Sequence, residues 1–83
     1  MNGGLWQRPT QIELLISTLR ESRAAGRPLE LPEIMRLGIA QHGARFNELR
    51  RRGFVVENEL DHSSGIVRSR YWLRHDPAQD GAR

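Results

Sequence analysis

The sequence predicts an α+β fold, with three helices followed by a C-terminal β-hairpin. Three observations carry this expectation. A capping box opens a stretch whose apolar residues recur at helical spacing. Two shorter helical stretches then flank Gly38, and at Gly53 the apolar period changes from 3.6 to 2. With 83 residues the chain holds one small domain and one modest core.

Residues 1–9, which include a Gly3-Gly4 pair, read as a flexible N-terminal segment, with Leu5 and Trp6 packing back on the domain. The first helix is expected at 11–24. Thr10 and Glu13 form a T-x-x-E capping box, and Ile12, Leu15, Ile16 and Leu19 share one face. Gly26 and Pro28 end it. Leu29-Glu30-Leu31 alternates and reads as a very short strand. Pro32 suits the first position of a second helix, Glu33 its first turn, and Gly38 its end. A third helix runs from about Gln41 to Arg52, with His42, Phe46 and Leu49 on its inner face and Gly53 as its stop. Ala40 cannot cap it, and Gly43 weakens its first turn by roughly 1 kcal/mol.

Beyond Gly53, Phe54, Val56, Asn58 and Leu60 alternate with Val55, Glu57 and Glu59. After a turn cluster, Val67, Ser69, Tyr71 and Leu73 alternate with Arg68, Arg70, Trp72 and Arg74. Keeping both apolar sets on one face requires paired residue numbers to sum to an odd value. A register pairing Val56 with Tyr71, Glu57 with Arg70 and Glu59 with Arg68 meets that condition and sets opposite charges side by side. Residues 61–66 then form the loop. Residues 75–83, HDPAQDGAR, read as a disordered tail, which leaves 10–74 as the domain.

Helix, short strand, two helices around a tight turn, and hairpin is the order of a winged helix-turn-helix domain. The run Leu37-Gly38-Ile39, followed by Ala44-Arg45-Phe46 and Leu49-Arg50 through Gly53-Phe54, resembles the small stand-alone winged-helix domains of bacterial and prophage genomes. There an L-G-I turn leads into a helix carrying A-R-(I or F)-x-x-L-R-x-x-G-(Y or F). The ending Tyr71-Trp72-Leu73 is similar to their last strand. The resemblance implies a DNA-binding fold, and with it a small transcriptional regulator or an accessory DNA-binding factor. Winged helices also serve as protein-interaction modules or architectural factors, and a spot formed by Val55 and Trp72 on the outer hairpin face suits the former role.

In a helix-turn-helix the second helix offers its exposed face to base edges. That face would hold Gln41, Ala44, Glu48 and Arg51, flanked by Arg45, Arg52 and Asn47. Gln41, Arg45 and Asn47 are the base-reading candidates, because arginine pairs with guanine and the amides with adenine. Arg51 and Arg52 are the phosphate-contact candidates on the helix, and Ser63 and Arg68 those on the hairpin. Glu48, three or four positions from Arg45, Arg51 and Arg52, is expected to pair with a neighbour.

Charge agrees with such a partner without demanding it. All 13 basic residues are arginine, the formal net charge is +3, and seven arginines against four acids fall in residues 39–74. The absence of cysteine excludes disulfides and thiolate metal sites. His42, His62 and His75 lack metal-ligand spacing, Ser63-Ser64 lacks an adjacent base, and no phosphate-cradling glycine loop is present. The expectation is therefore a non-enzyme with no cofactor and no small-molecule substrate. No run approaches the roughly 18–20 apolar residues of a membrane span, so a cytoplasmic protein without a membrane partner is expected. A lone helix-turn-helix covers little DNA, so a second copy on a two-fold site is expected too.

Overall fold

The computed structural model describes residues 10–81, so the expected packing of Leu5 and Trp6 lies outside the described residues. Helix α1 spans Gln11–Ala24. Its capping box forms in full: the Thr10 hydroxyl accepts from the Glu13 N–H at 3.2 Å, and the Thr10 N–H donates to Glu13 Oε1 at 2.8 Å. Strand β1 is Leu29–Glu30, and α2 follows at once as Leu31–Arg36 with its proline in the first turn. Helix α3 is His42–Arg51, and strands β2 and β3 are Val55–Asp61 and Arg68–His75. The result is an α+β domain of three helices and a three-stranded antiparallel sheet in the order β1-β3-β2.

The core lies between the helices and one face of the sheet. Ile12, Leu15 and Leu19 of α1, Ile34 of α2, and Phe46 and Leu49 of α3 meet Leu29, Val56, Tyr71 and Leu73 of the sheet. Phe46 stacks on Tyr71 with ring centroids 4.3 Å apart and planes 11° from parallel. This pair joins α3 to the central strand and is worth about 0.5–1.5 kcal/mol beyond the area it buries.

The link between α2 and α3 turns at Gly38, whose φ of 75° suits a residue without a β-carbon. The side chain of Gln11 spans this turn. Its amide donates to the Gly38 carbonyl at 3.4 Å, and its oxygen accepts from the Ala40 N–H at 3.3 Å. One residue of α1 thereby fixes the link between the other two helices.

The hairpin differs from its sequence expectation by two residues of register. Val56 faces Leu73, Asn58 faces Tyr71, Glu59 faces Arg70 and Asp61 faces Arg68, with an irregularity between Val55 and Val56. A shift of two preserves parity, so the paired residues keep their expected faces, but Val67 leaves the strand for the loop and no longer pairs with Leu60. The charge pairing changes. Arg70 bonds Asp61 at 2.8 Å and approaches Glu59 at 3.9 Å, while Glu57 takes Arg74 at 2.7 Å. The loop therefore covers 62–67 rather than 61–66.

The polar stretch after Arg74, read above as a disordered tail, instead closes the fold as far as Asp80. His75 still belongs to β3, and Asp76 is fully buried. The Asp76 carboxylate accepts from Arg20 Nε at 2.5 Å and Nη2 at 3.1 Å. It also accepts from the N–H groups of Ala78 and Gln79, at 2.9 and 3.3 Å. Asp80 in turn accepts from the Asp76 N–H at 2.9 Å and pairs with Arg23 at 2.7 Å. Pro77 sits against Gly53, 3.6 Å from where a β-carbon would stand, and Gly53 has a φ of 98°. The hydrogen bonds from Arg20, together with those from Ala78 and Gln79, outweigh burial and hold the Asp76 carboxyl below the ordinary carboxylate value.

Candidate functional site

Helix α3 has one buried face and one open face. Phe46 and Leu49 point into the core, while Gln41, Ala44, Asn47 and Arg51 are exposed and Arg45 and Glu48 are half-buried. Of the base-reading candidates, Gln41 stands with Arg51 on the open side, whereas Arg45 and Asn47 lie on its two opposite flanks.

The start of α3 explains why Gln41 stands apart. No side chain caps the helix, and Gln41 takes the left-handed conformation with φ 51° and ψ 52°. Ala40 offers no oxygen to the first N–H groups, as its sequence position implied. The helix begins one residue late, at His42, and Gln41 is its exposed N-cap. A left-handed residue with a side chain is strained by about 1–2 kcal/mol. Strain of this kind gathers at functional positions, where the surrounding structure holds it in place.

The charges on α3 are partly spent on one another. Glu48 bonds Arg52 at 2.6 Å and approaches Arg45 at 3.8 Å. Arg50 donates to the side-chain oxygen of Asn47 at 3.3 Å and to the Val56 carbonyl at 3.4 Å. The Asn47 amide N–H groups find no acceptor among the described residues. Arg45 Nε is enclosed and finds no acceptor among the described residues. Arg51 makes no ion pair among them either, which leaves it the most available cation on the helix.

The hairpin carries the remaining candidates, apart from α3. Ser63 lies exposed at the tip, where its N–H donates to Asp61 Oδ1 at 2.9 Å. Bonding from Ser63, with the Arg70 guanidinium behind it, holds the Asp61 carboxyl below its ordinary value. Arg68 is exposed and makes no ion pair among the described residues, although it faces Asp61 across the hairpin. The pairing of Arg68 with Glu59 read from the sequence is thus replaced by a free Arg68 and a doubly paired Arg70. Of the arginines on the hairpin, only Arg68 stays available to an anion.

On the outer face the Val55–Trp72 spot is smaller than the sequence suggests. Both residues are half-buried, the Arg74 guanidinium lies 4.8 Å from the Trp72 ring centroid, and Trp72 Nε1 donates to Glu59 at 3.1 Å. The apolar exposure lies elsewhere, at Met35, Leu60, Ile66 and Val67. Leu60 and Val67, expected in the inner apolar sets of the hairpin, are instead exposed because the hairpin extends past the helical layer there; Met35 and Ile66 carried no expectation. No helix among the described residues is long and apolar enough to cross a membrane. No family model matches the chain, and comparison with curated proteins and with solved structures finds no match.

Proposed function

We propose that this chain is a winged helix-turn-helix domain that binds double-stranded DNA in the cytoplasm, as a small transcriptional regulator or accessory DNA-binding factor of bacterial or phage type. One observation carries the reading. The face of α3 turned away from the core presents Ala44 and Arg51, with Gln41 at its start, the half-buried Arg45 on one flank and Asn47 on the other, while Phe46 and Leu49 anchor the opposite face. The order of elements, with α2 and α3 joined by a tight glycine turn and a hairpin after them, agrees with it. In this reading Gln41, Arg45 and Asn47 meet base edges, and Arg51, Arg52, Ser63 and Arg68 meet phosphates. Two copies bind one two-fold site.

The test is a titration of random and selected duplexes over a range of salt. Phosphate contacts give a linear fall of log affinity with log salt, with a slope near −0.9 per phosphate neutralised. Arg45→Ala should lose about 1–3 kcal/mol on the selected site and relax preference at one base pair. Arg51→Ala should weaken all duplexes alike and flatten the slope by about 1. Affinity that ignores salt, or that survives replacement of both arginines, would show that α3 does not meet DNA.

A further inference from the structure

We propose that Leu5 and Trp6 fold back into the groove between α2 and the beginning of β3, so that the chain's own leading segment covers it. This inference concerns a different surface from the exposed face of α3 and does not rest on DNA binding.

Three observations meet in this groove. The first is its apolar character. It has a volume of about 440 Å³, with Leu31, Pro32 and Met35 of α2 on one side and Ile66 and Val67 on the other. Met35, Ile66 and Val67 are 65, 68 and 58% exposed, and together they form a patch rather than isolated surface residues. Its two charged residues, Glu30 and Arg68, are of opposite sign, so charge selects no occupant. The choice falls to apolar content and to reach.

The second observation is where the chain enters the described fold. The Gln11 amide donates to the Gly38 carbonyl at 3.4 Å, and the Gly38 N–H donates to the Met35 carbonyl at 3.0 Å. The first turn of α1 thus stands beside the C-terminal end of α2, the helix that forms one wall of the groove. α2 has six residues and is about 9 Å long at a rise of about 1.5 Å each. Trp6 precedes Thr10 by four residues and Leu5 by five. Extended chain of that length spans roughly 13–18 Å, enough to bring both residues from Thr10 to the Met35 end of the groove.

The third observation is the fit of the pair. Successive side chains of an extended segment point in opposite directions. Leu5 and Trp6 are adjacent, so a segment lying along the groove turns one toward α2 and the other toward Ile66 and Val67. The rival apolar spot at Val55 and Trp72 is already overlaid by Arg74 and tied to Glu59. The tether decides against rival occupants. A short flexible linker holds its end at a millimolar effective concentration, so a second copy or a separate peptide at micromolar concentration must bind about a thousandfold more tightly to displace it.

NMR on the full chain tests this. The Trp6 ring should give nuclear Overhauser cross-peaks to the methyl groups of Met35 and of Ile66 or Val67, unchanged across a dilution series. These cross-peaks need no variant. Met35→Glu and Val67→Asp, both at exposed positions, should each abolish them and move the Trp6 indole N–H to its position in an unstructured peptide, with unchanged circular dichroism. Leu5→Ala and Trp6→Ala should each shift the groove methyls while leaving those of the buried Leu49 in place. Four results would overturn the proposal. They are a Trp6 indole already at the unstructured position in the native chain, cross-peaks from Trp6 to Val55 and Trp72 in place of the groove, groove methyls that do not move in Leu5→Ala and Trp6→Ala, and cross-peaks that arise only between labelled and unlabelled copies. The last would make a second copy the occupant.

Discussion

Replacing Asp76 by alanine should destabilise the domain by about 3 kcal/mol. Removing one member of a buried ion pair costs about 3–5 kcal/mol, because the partner keeps its charge and loses its counter-charge. Asp76 has no exposed surface, and its carboxylate accepts four hydrogen bonds, two from Arg20 and one each from Ala78 and Gln79. The Arg20 side chain is 34% exposed and regains part of its hydration when freed, which places the loss at the lower end of that range. For a domain of this size, with a total stability of about 4–12 kcal/mol, the loss is large. It corresponds to a fall in Tm of about 12–24 °C. Urea unfolding followed by circular dichroism measures it. The effect should also depend on pH in one direction. The folded state holds the Asp76 carboxyl below its ordinary 3.8, so in acid the unfolded chain takes up the proton first. The advantage of the native chain over Asp76→Ala is then complete above about pH 5 and shrinks as the pH falls below 3.8. A loss under about 1 kcal/mol, or an advantage unchanged down to pH 2, would refute the account and return residues 75–80 to a frayed tail.

Gln41→Gly should stabilise the domain by about 0.5–1 kcal/mol in thermal unfolding, since glycine adopts the left-handed conformation without strain and still tolerates the N-cap position. The same variant should bind selected DNA more weakly for want of its amide, so that stability and affinity move in opposite directions. Glu48→Gln should release Arg52 and Arg45 and raise affinity for random duplexes, with a steeper salt slope in the titration described above. Thr10→Ala removes the side-chain half of the α1 capping box and should cost about 1 kcal/mol in chemical denaturation.

The parts of the fold that were legible in the sequence are those set by neighbours along the chain. The bounds of α1 follow from Thr10, Glu13 and the i, i+3, i+4 spacing of its apolar residues, and they match residue for residue. The missing cap at Ala40 foretold the late start of α3. The hairpin register was only half legible. Parity excludes every even sum, but two odd registers two residues apart both place acids opposite arginines. What separates them is the length of β3, which runs on to His75 because Asp76 anchors its end to Arg20. That contact spans 56 residues and leaves no periodic trace. A local signal was nevertheless present, since Asp76-Pro77 is the usual N-cap and first-position pair of a helical turn. Among the candidate residues, the exposure of Gln41 and Arg51 and the flanking positions of Arg45 and Asn47 followed from helical geometry. The freedom of Arg68 did not, because it depends on the register.

The hairpin is built like a cantilever. At its root Val56, Tyr71 and Leu73 are clamped in the core, whereas from Glu57 through Leu60 the outgoing strand rests on no helix and is exposed along its length. A beam fixed at one end can change length without disturbing its mounting, provided each change respects the alternation of the strand. Two residues added to both strands beyond Glu59 and Arg70 keep every inner residue inner and leave the pairing with β1 in place. The reach of the tip is thus a dimension of the molecule that can vary by steps of about 6.6 Å, the rise of two strand residues, independently of the stability of the core. The exposed turn at His62–Gly65 is correspondingly a natural position for grafting a foreign loop.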